Sequence, residues 1–166
     1  GEANPSGKLP ITFPIHESQL PLVYNHKPTG RGDDYHNLSG LPLFPFGFGL
    51  SYTSFQYSDI RLSSPVMSGS ENVTVFCRIK NTGKVAGSEV VQLYIRDELA
   101  SVARPVLELK GFSKIALAPG EESVVSFMIT KDMLTMINGR HERVAEPGMF
   151  RIMIGSSSRD LHLKAD

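Results

Sequence analysis

The sequence has no tryptophan, a single cysteine and no excess of charge of either sign. Lys and Arg together number 17, and Asp and Glu together also number 17, among 166 residues. Because balanced charge creates no net field, we expect neither nucleic acid nor a membrane surface as a partner. No apolar run approaches the roughly 18 residues of a membrane helix, and the first residues lack the features of a signal peptide. We expect such a start in the middle of a longer chain.

The single cysteine, Cys77, excludes an internal disulfide. It lies in an alternating apolar run, and the alternation places the neighbouring Arg78 on the opposite face of the strand. Since no other basic group is close in sequence, nothing lowers the pKa of the thiol, and we predict a buried structural residue. A reduced cysteine fits the cytoplasm and does not exclude a periplasmic or secreted protein.

Apolar residues from position 55 onward recur at every second position, which is the period of a half-buried strand. Pro-Gly pairs at 119–120 and 147–148 predict type II turns between strands. About seven short strands predict an all-β protein, an immunoglobulin-like or fibronectin type III-like antiparallel sandwich over residues 54–166. The one helical candidate, 131–137, is a connector that ends at Asn138-Gly139. The predicted strands cover residues 55–62, 73–79, 91–95, 107–115, 125–129, 150–154 and 161–163.

Residues 1–53 form an irregular N-terminal extension. Prolines at 5, 10, 14, 21, 28, 42 and 45 exclude long helices and central strands, and only 11–13 fits a short edge strand. A long segment with many apolar residues and no periodicity is neither a good solvent-exposed loop nor a good core on its own. We therefore expect the extension to need a partner surface. In the stretch LFPFGFGLSY at 43–52, glycines permit close approach and rings bury a large area. We predict inter-domain contacts for Phe44, Phe46, Phe48 and Tyr52.

No set of residues in this sequence matches a catalytic or metal site. A glycosidase needs two carboxyl groups that face each other across a sugar. Adjacent acids occur at 33–34, 97–98 and 121–122, but neighbours in an extended chain point in opposite directions. His16, His26 and His36 match no metal-ligand spacing. We therefore assign no catalytic, cofactor-binding or metal-binding residue.

Motifs along nearly the whole chain carry a resemblance to a known family. In the first third they are NPSGKLPITFP at 4–14, YNHKPTGR at 24–31 and PFGFGLSYT at 45–53. Downstream they are NTG at 81–83, EVVQLY at 89–94, LKGF at 109–112, LAPGE at 117–121, EPG at 146–148 and GSSS at 155–158. Together they resemble the C-terminal portion of glycoside hydrolase family 3, of the bacterial β-glucosidase type.

The resemblance implies a division of the chain and a role for it. Residues 1–53 would be the end of an α/β sandwich domain, with its last strand at 9–13, and a linker; residues 54–166 would be a fibronectin type III-like domain. The family's aspartate nucleophile and glutamate acid/base have no matching positions in this sequence. We expect a parent enzyme, periplasmic or secreted, that hydrolyses terminal β-linked glucose or related sugars with retention. This part would be a non-catalytic accessory region that stabilises the catalytic domains of the same polypeptide; homodimerisation stays open.

A carbohydrate-binding or adhesion module is the alternative interpretation. Sugar platforms offer exposed planar rings, and tyrosines are the substitutes for the missing tryptophan. Alternation places Tyr94 outward, so Tyr94 is the predicted sugar contact and an oligosaccharide or polysaccharide the predicted partner. Arg31-Gly32-Asp33 is an adhesion tripeptide in some extracellular proteins, although a turn stabilised by Gly and Asp explains it as well.

Overall fold

The alternating runs of the sequence fold into two facing antiparallel sheets. The structure is a computed structural model that describes residues 2–29, 37–69 and 71–166. In these ranges the strands are β1 Phe55–Leu62, β2 Val73–Asn81, β3 Gly87–Asp97, β4 Glu108–Leu117, β5 Glu122–Ile129, β6 Met136–Ile137, β7 Arg143–Val144, β8 Phe150–Gly155 and β9 Leu161–Ala165. One sheet has the order β1-β2-β5 and the other the order β4-β3-β8-β9. The predicted all-β antiparallel sandwich is confirmed.

The apolar core lies between the two sheets. Because successive side chains of a strand point to opposite faces, every second residue of each strand enters this core. In the β2–β5 pair, Val75 lies opposite Phe127 and Cys77 opposite Val125. The buried members are Val75, Cys77, Ile79, Val91, Leu93, Ile95, Leu117, Val125, Phe127, Ile129, Ile152 and Ile154.

Asn81, the last residue of β2, is fully buried and holds one end of the sandwich. Its Oδ1 accepts from Thr53 Oγ1 at 2.5 Å and from Gly83 N–H at 3.0 Å. Its Nδ2 donates to Val85 O at 2.9 Å and to Leu117 O at 3.0 Å. Since a buried amide without partners is costly, these four bonds fix the end of β2, and the bond to Thr53 ties the extension to it.

The connector between β5 and β8 differs from the prediction. Its 3₁₀ helix covers only Lys131–Leu134, and β6 and β7 then form a small hairpin. Met136 is buried and Ile137 exposed, which is the alternation of a strand. Two residues are too few for the sequence to reveal this period. Asn138 Oδ1 accepts from the backbone of Arg140 and Glu142, so Asn138-Gly139 belongs to the hairpin turn.

Burial of Cys77 predicts a thiol that does not react in the folded protein. The side chain is 1% exposed, and burial raises the pKa of the thiol to about 11. A rise of about two units leaves roughly a hundredth of the ordinary thiolate at pH 8. We expect Ellman's reagent to label Cys77 promptly in about 8 M urea, which unfolds the protein. Without urea it should hardly label Cys77 at all. Equal labelling rates in the two conditions would contradict the burial of this strand.

Candidate inter-domain surface

Two segments of the extension pair with each other and form a ribbon, residues 4–13 with 44–52. Its backbone hydrogen bonds include Leu9 N–H to Phe48 O and Phe13 N–H to Phe44 O, both at 2.8 Å. The edge strand predicted at 11–13 is reduced to an isolated bridge between Phe13 and Phe44. Pro10 has no N–H to donate, so the ladder cannot be continuous.

Aromatic rings anchor the ribbon to the sandwich. Phe46 stacks on Tyr24 with ring centroids 4.2 Å apart, and Tyr24 meets Tyr94 edge-on at 6.1 Å. Tyr94 of β3 lies opposite Met153 of β8, and both form a buried cluster separate from the main core. Because their strand neighbours Leu93 and Ile154 enter the main core, this second cluster lies on the outer face of the four-stranded sheet. The extension therefore covers that face around Tyr94 and Met153.

Gln92 connects the ribbon, β3 and the loop after β8. Its side chain is 3% exposed on the outer face of β3. Nε2 donates to Gly47 O at 3.1 Å and to Ser156 O at 2.6 Å, while Oε1 accepts from Tyr94 Oη at 2.5 Å. Ser158 N–H also donates to Phe46 O at 2.9 Å. The polar groups of this interface are thus paired rather than only packed.

An ion pair fastens the ribbon near the start of β3. Lys8 Nζ lies 2.9 Å from Glu89 Oε1, and both side chains are largely buried. Tyr57 Oη donates to the same carboxylate at 3.2 Å, and burial, with Glu89 adding to it, raises the pKa of Tyr57. Removing one partner of a buried ion pair is strongly destabilising. This contact therefore favours the position of the ribbon in which Lys8 and Glu89 meet.

Tyr94 does not have the exposure that a sugar contact requires. The prediction of an outward-facing side chain is correct, but the expectation of an open platform is wrong, because the ring is 0% exposed. Tyr24 covers it, and its hydroxyl donates to Gln92. Burial raises the pKa of Tyr94, and the neighbouring Tyr24 adds to the shift. Alternation identifies the face of a strand but not what covers that face.

The other end of the ribbon exposes apolar side chains. Leu43 is 55% exposed and Ile15 51% exposed. Leu43 N–H donates to Phe13 O, and the rings of Phe13 and Phe44 meet edge-on. We call this set the apolar ridge, and its members are Phe13, Ile15, Leu41, Leu43 and Phe44.

Gln19 holds the two halves of the apolar ridge together. It is the last residue of a 3₁₀ turn, Glu17–Gln19, and is 0% exposed. Its Oε1 accepts from Ile15 N–H at 2.6 Å and His16 N–H at 3.1 Å. Its Nε2 donates to Ser39 O at 2.7 Å and Leu41 O at 3.0 Å. The ridge is therefore a fixed surface rather than a set of loose side chains.

The four residues predicted to make inter-domain contacts fall into different surroundings. Phe44 belongs to the apolar ridge, and Phe48 stacks on it at 5.0 Å while half-buried. Phe46 is folded back against Tyr24 on the sandwich. Tyr52, at the far end of the ribbon, is 63% exposed. Contact with another domain stays a prediction for all four.

The acidic pairs of the sandwich have structural partners. Asp97 faces Arg104 at 3.9 Å, and burial raises its pKa even though Arg104 acts to lower it. Glu98 pairs with Arg151 at 3.1 Å, and Glu121 accepts from a backbone N–H of its own turn. Each of these carboxylates therefore has a structural partner within the fold.

Several predicted features lie outside the described residues: His36, the acids at 33–34 and the Arg31-Gly32-Asp33 tripeptide. Among the residues that the structure does describe, no group of three or more His, Cys, Asp or Glu side chains is placed to hold a metal ion. Within the same ranges, no helix has the length and hydrophobicity needed to cross a membrane.

Comparison with known sequences identifies the family. A model of the fibronectin type III-like domain matches residues 89–158, and a model of the glycosyl hydrolase family 3 C-terminal domain matches residues 1–52. A periplasmic beta-glucosidase of Salmonella typhimurium is 46% identical over 168 residues, which cover 95% of this chain and 22% of that protein. The chain belongs to glycoside hydrolase family 3. It corresponds to the C-terminal part of the family 3 proteins, as the resemblance implied.

Other members of the family agree over the same part. A beta-xylosidase of Formosa agariphila is 45% identical over 168 residues, which cover 99% of this chain and 23% of the relative. The solved structure of a β-glucosidase from Erythrobacter marinus superposes with a TM-score of 0.93 at 42% identity, over 99% of this chain and 22% of that one. The family 3 chain described here thus spans little more than a fifth of these relatives' length.

Proposed function

We propose that this chain is a non-catalytic accessory region that packs against the catalytic domains of a family 3 glycosidase and stabilises them. The observation that carries the proposal is the apolar ridge. Its side chains stand exposed, yet Gln19 and the ribbon hold them in fixed positions. Contiguous exposed apolar surface on a soluble protein marks an interaction site. The catalytic domains of the same polypeptide are the partner that this surface fits.

The parent activity that we propose is retaining hydrolysis of terminal β-linked glucosyl or related residues. Relatives named as β-glucosidases and a β-xylosidase support it. The Salmonella relative is named as periplasmic, which supports a periplasmic or secreted parent. We further propose that residues 1–53 complete the domain that precedes the sandwich, and that Phe44 of the apolar ridge and Phe48, which stacks on it, reach the interface.

Charged substitutions on the apolar ridge test this function. We expect Ile15→Asp with Leu43→Asp to change the melting temperature of the isolated chain by less than about 3 °C, because both side chains are about half exposed in it. In the complete polypeptide the same pair should shorten the half-life of aryl β-glucoside hydrolysis at elevated temperature several-fold. Burying a Leu or Ile contributes about 1.5–3 kcal/mol, and an unpaired buried carboxylate removes that and adds a desolvation cost.

Phe112→Asp with Val124→Asp is the matched control. Both positions are exposed apolar residues of the sandwich that lie outside the ridge, so this pair should leave the half-life of the complete enzyme unchanged. Equal losses from the two pairs, or none from the ridge pair, would contradict the proposal. A second copy of the chain is the alternative occupant of the ridge; sedimentation that shows a dimer abolished by the ridge pair would favour it instead.

A further inference from the structure

An open cleft lies at the end of the ribbon away from the apolar ridge. Its volume is about 450 Å³, and it is lined by Glu2, Asn4, Tyr52, Val85 and Ala86. Asn4 lies beside Tyr52 at this end of the ribbon, and Phe13 pairs with Phe44 at the opposite end. This volume lies within the range of roughly 300–1,000 Å³ that small-ligand sites occupy.

Tyr52 presents an exposed ring on a fixed backbone. Its side chain is 63% exposed, while its N–H donates to Asn4 Oδ1 at 2.9 Å. Asn4 is itself held, because Nδ2 donates to Ala86 O at 2.9 Å and Ser51 Oγ donates to Oδ1 at 3.0 Å. A rigidly mounted aromatic ring loses little conformational entropy when a ligand stacks on it. Exposure is the feature that Tyr94 lacks.

The lining residues define the chemistry of a ligand. The cleft offers one aromatic face, the small apolar side chains of Val85 and Ala86, the carboxylate of Glu2 and the amide of Asn4. Among the residues that the structure describes, no Lys or Arg lines it, so those residues offer no side-chain cation with which an anion could pair. A pyranose ring matches this set, because one face carries C–H groups that stack on aromatics and its rim carries hydroxyls that bond carboxylates and amides.

We propose that the Tyr52 cleft is a binding site for a neutral pyranose oligosaccharide. One sugar ring stacks on Tyr52, and its hydroxyls donate to the Glu2 carboxylate and accept from the second N–H of Asn4. The site holds the saccharide without reacting with it. It uses no residue of the apolar ridge, so it does not rest on the proposed docking of catalytic domains. Tyr52 is thereby assigned to a ligand rather than to an inter-domain contact.

Amide chemical-shift titration of this chain with cellotetraose and with xylotetraose tests the proposal. We expect saturable shifts at Tyr52, Val85 and Ala86, with a dissociation constant on the order of 1 mM. Tyr52→Ala should weaken binding at least about tenfold, whereas Tyr52→Phe, which keeps the ring, should stay within about threefold. Phe112→Ala removes an equally exposed ring elsewhere and should change nothing. Unperturbed spectra away from the cleft will verify that each variant is folded.

Three results would overturn the proposal. The first is the absence of saturable shifts for both saccharides up to about 20 mM. The second is binding that Tyr52→Ala leaves intact. The third is saturation by tetramethylammonium chloride in place of the sugars, which would make the Tyr52 ring and the Glu2 carboxylate a cation site. None of these results bears on the ridge variants, so this proposal and the accessory function fail independently.

Discussion

Gly47→Ala is expected to lower the free energy of unfolding by about 4 kcal/mol. Gly47 has φ +80°, a conformation in which a side chain is strained by about 1 kcal/mol. A Cβ added there would overlap the amide oxygen of Gln92 and lie 2.9 Å from its nitrogen. To make room, the Gln92 amide must release its bonds to Gly47, Ser156 and Tyr94, each worth about 1 kcal/mol. Thermal and urea unfolding of the full chain measure the loss.

Gly120→Ala separates the two causes. Gly120 has φ +76°, but a Cβ there meets no atom within 4 Å. It should therefore cost only the backbone strain, about 1 kcal/mol. Gln92→Ala added to Gly47→Ala should cost less than the sum of the single changes, because the clash disappears. If Gly47→Ala and Gly120→Ala cost the same, the close contact between the ribbon and β3 does not exist in solution.

Removal of residues 1–53 is expected to lower the melting temperature of the sandwich by about 10 °C or more. The truncation uncovers Tyr94 and Met153 and leaves Gln92 without its Gly47 partner. It also deletes Lys8, so the Glu89 carboxylate loses its cation. Loss of one member of a buried ion pair alone costs about 3–5 kcal/mol. Calorimetry of residues 54–166 beside the full chain measures the difference.

The truncated chain should also differ in ways that stability alone does not report. The truncated chain keeps only Tyr57 and Tyr94, and iodide should quench the fluorescence of Tyr94 in it, because the ring of Tyr94 loses Tyr24. Glu89→Gln in the truncated chain should recover part of the lost stability, since it removes the unpaired charge. Identical melting temperatures for 1–166 and 54–166 would mean that the extension and the sandwich are energetically independent. The contacts between them would then contribute nothing to stability.

Periodicity predicted the strands well because one physical rule decides them. Val73, Val75, Cys77 and Ile79 alternate with Thr74, Phe76, Arg78 and Lys80, and a half-buried sheet tolerates no other register. The same rule failed in β3, where Gln92 and Tyr94 are buried as fully as Val91 and Leu93. The extension that covers this outer face comes from distant sequence with no period of its own, so no local pattern announces it.

The sequence predicted that the extension needs a contact surface, but not how its residues are arranged on that surface. The aromatic and glycine composition of 43–52 correctly indicated close packing, but not that Phe46 turns inward while Leu43 remains exposed. One signal was available in the sequence. Gln92 and Tyr94 both lie on the outward side of a predicted strand, and the aromatic rings of the extension have no partner of their own. Together these features favour a face that is covered. Tyr52 and Asn4 are separated by 47 intervening residues in the printed sequence, so their cleft required the ribbon to be known.

Hydrogen exchange of this chain, with and without the catalytic domains of the same polypeptide added as a separate protein, tests the central claim most directly. We expect slower exchange in peptides that contain residues 13–20 and 39–44, where the apolar ridge lies, and unchanged exchange in β2, the central strand of the three-stranded sheet. Unchanged exchange in the ridge peptides under conditions where the two proteins co-sediment, or no association at all, would contradict it.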